Sequence, residues 1–130
     1  MRGPALVAEV PGVLYLAGPM SGLPSFNYPA FHSAAGRLRA AGFEVLNPAE
    51  NKLEGSPEWA DYMRASIGQL VRAGGVATLA GYEKSRGASI ETKLAWDLGV
   101  VVRPVAYWLT LKGQADFMGR LLDNETKVTT

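Results

Sequence analysis

The residues best suited to chemistry lie in Gly81-Tyr-Glu-Lys-Ser-Arg-Gly-Ala-Ser-Ile-Glu91. This segment follows a short apolar run, Val76 to Ala80, and leads into a helical pattern. Free backbone N–H groups at the start of a helix, joined by Ser85, Gly87 and Ser89, suit a phosphate or a sugar hydroxyl. The same residues also suit an ordinary helix cap. Glu91 is more telling. At about 100° per residue it shares the apolar stripe of its helix with Gly87, Ala88, Leu94, Ala95 and Leu98. A carboxylate on a core-facing stripe is costly unless it lines a cleft or has donors. Two readings follow: a nucleophile or general base, or an acid held near the first turn by the helix dipole.

A second group of candidates lies in Tyr15-Leu-Ala-Gly-Pro-Met-Ser-Gly22. Tyr15 carries a phenol in an apolar strand and needs a partner, whether a site residue or the backbone. Gly18 lets a ligand or another backbone come close, and Pro19, Met20 and Ser21 continue the loop. Asn47 and Glu50 follow another apolar run, where they serve either a ligand or a turn. Phe26, Tyr28 and Trp59 offer faces for a base or for ordinary packing. His32 is the sole histidine and reads as a plain helix residue.

These residues need elements to hold them. Val13 to Ala17 is a continuous apolar run, as expected of a strand buried on both faces. Phe43 to Leu46, Val76 to Ala80 and Val100 to Arg103 read as further strands, and Pro104 to Leu109 as a possible fifth. Helices are expected from Pro29 to about Gly42, from a Ser56-Pro57-Glu58 start through Leu70-Val71, from Gly87 to Leu98, and from Gln114 to Leu122. A polar tail begins near Asp123. Alternating strands and helices imply a three-layer α/β/α domain spanning residues 1–130. Its parallel sheet has four or five strands in an order near 2-1-3-4(-5), flavodoxin-like or Rossmann-like. In such sheets ligands bind beyond the carboxyl ends of the strands. The Gly18, Asn47 and Gly81–Gly87 loops fall there.

Composition narrows the chemistry. The chain has 130 residues, 13 basic and 12 acidic, and no cysteine. One domain of this size buries a substantial core. The absence of cysteine removes disulfides and thiolate chemistry, and a lone histidine argues against a Ser–His–Asp triad or a multi-histidine metal site. The near-neutral balance gives no footprint for a nucleic-acid polymer. No apolar run reaches the roughly 18 residues of a membrane span, and no signal peptide is read. A soluble, cytoplasmic protein without metal or cofactor is expected.

Taken together and in order, Tyr15-Leu-Ala-Gly-Pro-Met-Ser-Gly22, Phe26-Asn-Tyr-Pro-Ala-Phe31, Asn47-Pro-Ala-Glu50 and Gly81 to Glu91 resemble the nucleoside 2-deoxyribosyltransferase-like superfamily. The likeness is to its small branch common in phages and prophages, and it runs from about Leu14 to Val102. It implies cleavage of the N-glycosidic bond of a nucleoside or nucleoside 5′-monophosphate, by hydrolysis or deoxyribosyl transfer, with no cofactor. By the same likeness Glu91 is the nucleophile, and Tyr15 orients its carboxylate or the sugar. Ser85 and Gly87 hold the sugar or its 5′ end, and Gly18 admits the ligand beside the first strand. Ser21 stands where some nucleotide hydrolases carry a phosphate-binding arginine. Ser66 and Gly74 stand where relatives carry aspartates, the first of them a candidate proton donor. Asp61, Glu50 and Glu83 are possible substitutes. The alternative is a non-catalytic nucleotide-binding module that has lost the acid. Homo-oligomers are also implied, with Trp59, Met63, Ile67, Leu70 and Val71 on the pairing helix.

Overall fold

The computed structural model describes residues 12–111. Four parallel strands, β1 (Val13–Ala17), β2 (Glu44–Leu46), β3 (Gly75–Thr78) and β4 (Val101–Pro104), form one sheet in the order β2-β1-β3-β4. Helices α1 (Tyr28–Ala40), α2 (Trp59–Leu70) and α3 (Arg86–Asp97) make the crossovers. The expected three-layer α/β/α architecture is present, with a four-stranded sheet.

Alternation along the strands sorts the side chains into two cores. Leu14, Leu16 and Ala77 meet Phe31, Ala34, Ala35 and Leu38 of α1. Tyr15, Ala17 and Val76 face the other way, toward Leu70 and Ala95 of α2 and α3. β3 is fully buried, and so is β1 apart from the half-buried Val13, whereas β4 is exposed at three of its four residues. β4 is the edge of the described sheet, which accounts for its exposure.

The fifth strand expected at Pro104 to Leu109 is not formed. Residues 105–111 are helical. Val105 and Trp108, three apart, are buried, whereas Ala106 and Tyr107 between them are exposed. That is the period of a helix, although the residue types favour a strand. The Trp108 indole N–H donates to the Val76 and Arg103 carbonyls at 2.9 and 3.1 Å, pinning this helix to the sheet. Its ring fills the space over Gly75: a Cβ there would stand 2.7 Å from Trp108 Cη2. The expected helix at Gln114 to Leu122 and the tail from Asp123 lie outside the described residues.

One expected helix start and one expected core stripe are corrected. α2 starts at Trp59, not at Ser56-Pro57. Its N-cap is Glu58, whose N–H donates to Asp61 Oδ2 at 2.8 Å. The core stripe of α3 is narrower than its periodicity suggests. Ala88, Glu91 and Ala95 are buried, but Leu98 is 55% exposed because it follows the last helical residue. No helix among the described residues is long and apolar enough to cross a membrane.

Candidate functional site

Tyr15 is the middle residue of β1 and points toward α2 and α3. Glu91 lies in the second turn of α3, on the stripe that meets the sheet. The Tyr15 hydroxyl donates to Glu91 Oε2 at 2.6 Å, across 76 residues of chain. The bond is short, as expected when a hydroxyl meets a buried carboxylate. Tyr15 is fully buried and Glu91 is 5% exposed. The Tyr15 hydroxyl is thus bonded to a side chain and not to the backbone.

Burial pushes the Glu91 carboxyl up to about 7 from its ordinary 4.5, and the Tyr15 hydrogen bond pulls part of the way back. Burial also drives the Tyr15 phenol far above its usual value. The Glu91 charge and the shared hydrogen bond add to that rise, and the Ser66 side chain works against it. Ser66, on α2, is therefore the third polar group at this spot and is itself buried. A carboxyl near neutrality in a buried polar cluster is a recurrent property of catalytic acids and bases.

The other candidates do not gather around Glu91. The space over Gly18 is filled by the protein itself: a Cβ there would lie 2.8 Å from Leu79 Cβ. Gly18 thus serves the packing of the first loop against the third. The Pro19 carbonyl accepts from Asn27 Nδ2 at 3.0 Å, Met20 packs on the α1 core, and Ser21 is exposed. Asn47 is 1% exposed. Its Oδ1 accepts from the Ala49 N–H at 2.9 Å, and its Nδ2 lies 3.4 Å from His32 Nδ1. Its polar atoms are used inside the turn.

Ser85 caps α3, its Oγ accepting from the Ala88 N–H at 3.2 Å. The Ser89 hydroxyl donates to the Glu83 carbonyl at 3.3 Å. The Ser85 side chain thus caps the helix, and the Ser89 hydroxyl ties it to the preceding turn. Gly87 faces α2, where a Cβ would stand 3.1 Å from Met63 Sδ and 3.9 Å from Trp59 Cζ2.

Two of the three possible substitutes for a missing acid are otherwise engaged, and the third is exposed. Both carboxylate oxygens of Glu50 accept from Arg39, at 2.8 and 2.9 Å, which holds this carboxyl below its usual range. Asp61 accepts from the Glu58 N–H, and Glu83 is exposed in a short helical turn. Gly74 leaves the argument altogether. It immediately precedes β3, at the amino end of the sheet, and its N–H donates to the Val13 carbonyl at 2.9 Å. The loops that close a ligand site are at the opposite end.

Sequence reasoning set Met63 on a pairing helix, whereas its Sδ lies over Gly87, and it gave no role to Arg86, whose guanidinium lies 4.2 Å from the Trp59 ring centroid. Trp59, Met63 and Ser66 lie at helical spacing on α2, and this spacing was the available signal. It also missed a cleft of about 440 Å³ beyond the ends of β3 and β4, bordered by Thr78, Leu79, Tyr82 and Arg103. A neighbouring cleft of about 350 Å³ extends past Tyr82 and Val102 to Thr92, Lys93 and Trp96. Tyr15, Ser66 and Glu91 line neither.

A family model for a domain of unknown function, DUF4406, matches residues 12–103. The chain belongs to this family. The DUF4406 match spans all of the first three strands, α1 to α3 and most of β4, so Tyr15, Ser66 and Glu91 all fall inside it. The helix at 105–111 lies beyond the matched region. Comparisons of this DUF4406 chain with curated proteins and with solved structures each returned no match.

Proposed function

We propose that this protein cleaves the N-glycosidic bond of a nucleoside or nucleoside 5′-monophosphate in the cytoplasm, with Glu91 as nucleophile. The observation that carries this reading is the buried Tyr15–Glu91 hydrogen bond, which joins the two residues that the resemblance to nucleoside 2-deoxyribosyltransferase-like enzymes puts at the reaction centre. Retention of a carboxyl raised toward 7 in a dry setting supports it.

In the proposed reaction ionised Glu91 attacks the anomeric carbon through Oε1. The bond from that carbon to the base nitrogen breaks, and its electron pair leaves with the base, which takes up a proton. Tyr15 holds Oε2 and fixes the carboxylate plane. Water or an acceptor base then attacks the glycosyl–enzyme ester and loses a proton. Glu91 is released as carboxylate, as in a retaining glycosidase.

The test is chromatographic base release from deoxy- and ribonucleosides and their 5′-monophosphates, with Glu91→Ala alongside. Release by the native chain that disappears in the variant is the expected result. No release from any substrate sinks the catalytic reading.

A second reading, a nucleotide-binding module without turnover, is favoured by one observation. None of Glu50, Asp61 and Glu83 hydrogen-bonds to Glu91 or Tyr15: the first two are bonded elsewhere and Glu83 is exposed. Calorimetric binding of a nucleotide without base release is its signature. Pairing of two copies through α2 accompanies either reading. Trp59 and Tyr62 remain 39% and 42% exposed on that helix, and a monomeric mass by light scattering would overturn it.

A further inference from the structure

Glu91 is 5% exposed, so a substrate meets a closed door. Helix α2 packs against α3 on this side of the sheet. One turn before Glu91 on α3, Gly87 has no side chain, and Met63 Sδ and Trp59 Cζ2 occupy the space over it. Trp59 is in turn covered by its neighbour across the gap: the Arg86 guanidinium lies 4.2 Å from the ring centroid.

The two ends of α2 are held very differently. Its last turn is anchored by Leu70, fully buried in the core, and by reciprocal amide hydrogen bonds between Gln69 and Asn51, both 2.9 Å. Its first turn is held locally, by the capping box between Glu58 and Asp61, carries the half-exposed Trp59 and Tyr62, and follows residues 51–58, which form neither helix nor strand. Gly55 within that segment has φ +76°, where glycine turns freely.

We propose that the first two turns of α2 are a gate over the Tyr15–Glu91 pair, with Met63 seated on Gly87 and Trp59 latched beneath Arg86, and that a nucleoside reaches Glu91 only when this gate lifts. The inference rests on the reading of Glu91 as nucleophile, but its test does not. A thioether is unbranched and adaptable, so Met63 seats and leaves without a rigid clash. An exposed cation–π contact is weak enough to break during a reaction cycle. The missing side chain at position 87 is thereby explained by the seat it offers Met63.

The experiment follows the Tyr15 hydroxyl proton, which is held in a 2.6 Å hydrogen bond to a buried carboxylate. Its exchange with water is measured by NMR in the native chain and in Met63→Ala, Trp59→Ala, Arg86→Ala and Ile90→Ala. Met63→Ala and Trp59→Ala are expected to accelerate exchange on the order of ten-fold or more. Arg86→Ala removes only the latch and should accelerate it about two- to five-fold, the range of an exposed cation–π contact. Ile90, exposed on α3, is the control and should leave exchange unchanged. Native exchange rates in Met63→Ala and Trp59→Ala overturn the gate, and so does equal acceleration in Ile90→Ala. If Met63→Ala does not fold, Arg86→Ala and Trp59→Phe decide, and unchanged exchange in both overturns it. Absence of base release with accelerated exchange would remove the nucleophile reading and leave the gate standing.

Discussion

Replacing Glu91 with glutamine should stabilise the protein while destroying the proposed activity. A carboxyl moved from 4.5 to about 7 corresponds to about 3 kcal/mol, at roughly 1.4 kcal/mol per pH unit. Because the folded value is raised, the native state holds its proton longer than the unfolded chain does. Stability from this group is therefore fully present below about pH 4.5, falls between 4.5 and 7, and stays low above 7. Glutamine has nearly the same shape, cannot ionise, and still offers an oxygen to the Tyr15 hydroxyl. Urea unfolding of both proteins from pH 5 to 8 isolates the effect, since the other titrating groups cancel in the difference. The variant should gain on the native chain by about 2.5 kcal/mol across this interval. For a domain of this size that is on the order of 10 °C in melting temperature at pH 8. A difference independent of pH, or a variant less stable at pH 8 than at pH 5 relative to native, would refute the reasoning.

Tyr15→Phe removes the donor to Glu91 and should cost about 1–3 kcal/mol above pH 7, where a buried carboxylate is left short of a partner. It should also raise the Glu91 carboxyl further, moving the acid limb of any base-release profile upward, as a pH–rate series would show. Gly75→Ala sets a Cβ 2.7 Å from the Trp108 ring and should destabilise by about 1–3 kcal/mol, read by thermal melting. Asn47→Ala should cost about 1–2 kcal/mol through the lost cap on Ala49 while leaving the KM for a nucleoside unchanged. A raised KM at native stability would return Asn47 to the binding site.

The sheet was legible because its strands are short, apolar and bounded by glycine or proline, a pattern that burial on both faces imposes. Glu91 was legible for the opposite reason, as a polar residue on an apolar stripe. What escaped depends on contacts that no single segment carries. Pro104 to Leu109 has strand-like residue types, yet Trp108 reaches the Val76 carbonyl only if the segment coils. The glycines needed the fold to be read. Gly18 left open a ligand or another part of the chain, and Leu79 occupies the space over it, as Met63 does over Gly87. A glycine in a sequence announces that something comes close and leaves open whether it is a ligand or the protein itself.

The choice between enzyme and binding module turns on the proton of Glu91. A nucleophile must be ionised when it attacks, and burial in the closed state opposes ionisation. The same burial would leave a pure binding module with a stability penalty and no return. If the gate opens, water and substrate hydroxyls reach the carboxylate, desolvation eases, and its pKa falls toward the ordinary value. A closed resting state with a carboxyl near 7 and an open state with an ionised nucleophile are then two positions of one device. The proton released on opening has a nearby destination in the departing base. That would offset the absence of a separate acid among Glu50, Asp61 and Glu83. An enzyme built this way should show base release whose lower pH limb lies below 7 in Met63→Ala and nearer 7 in the native chain. Coincident limbs in the two proteins would separate the gate from the chemistry.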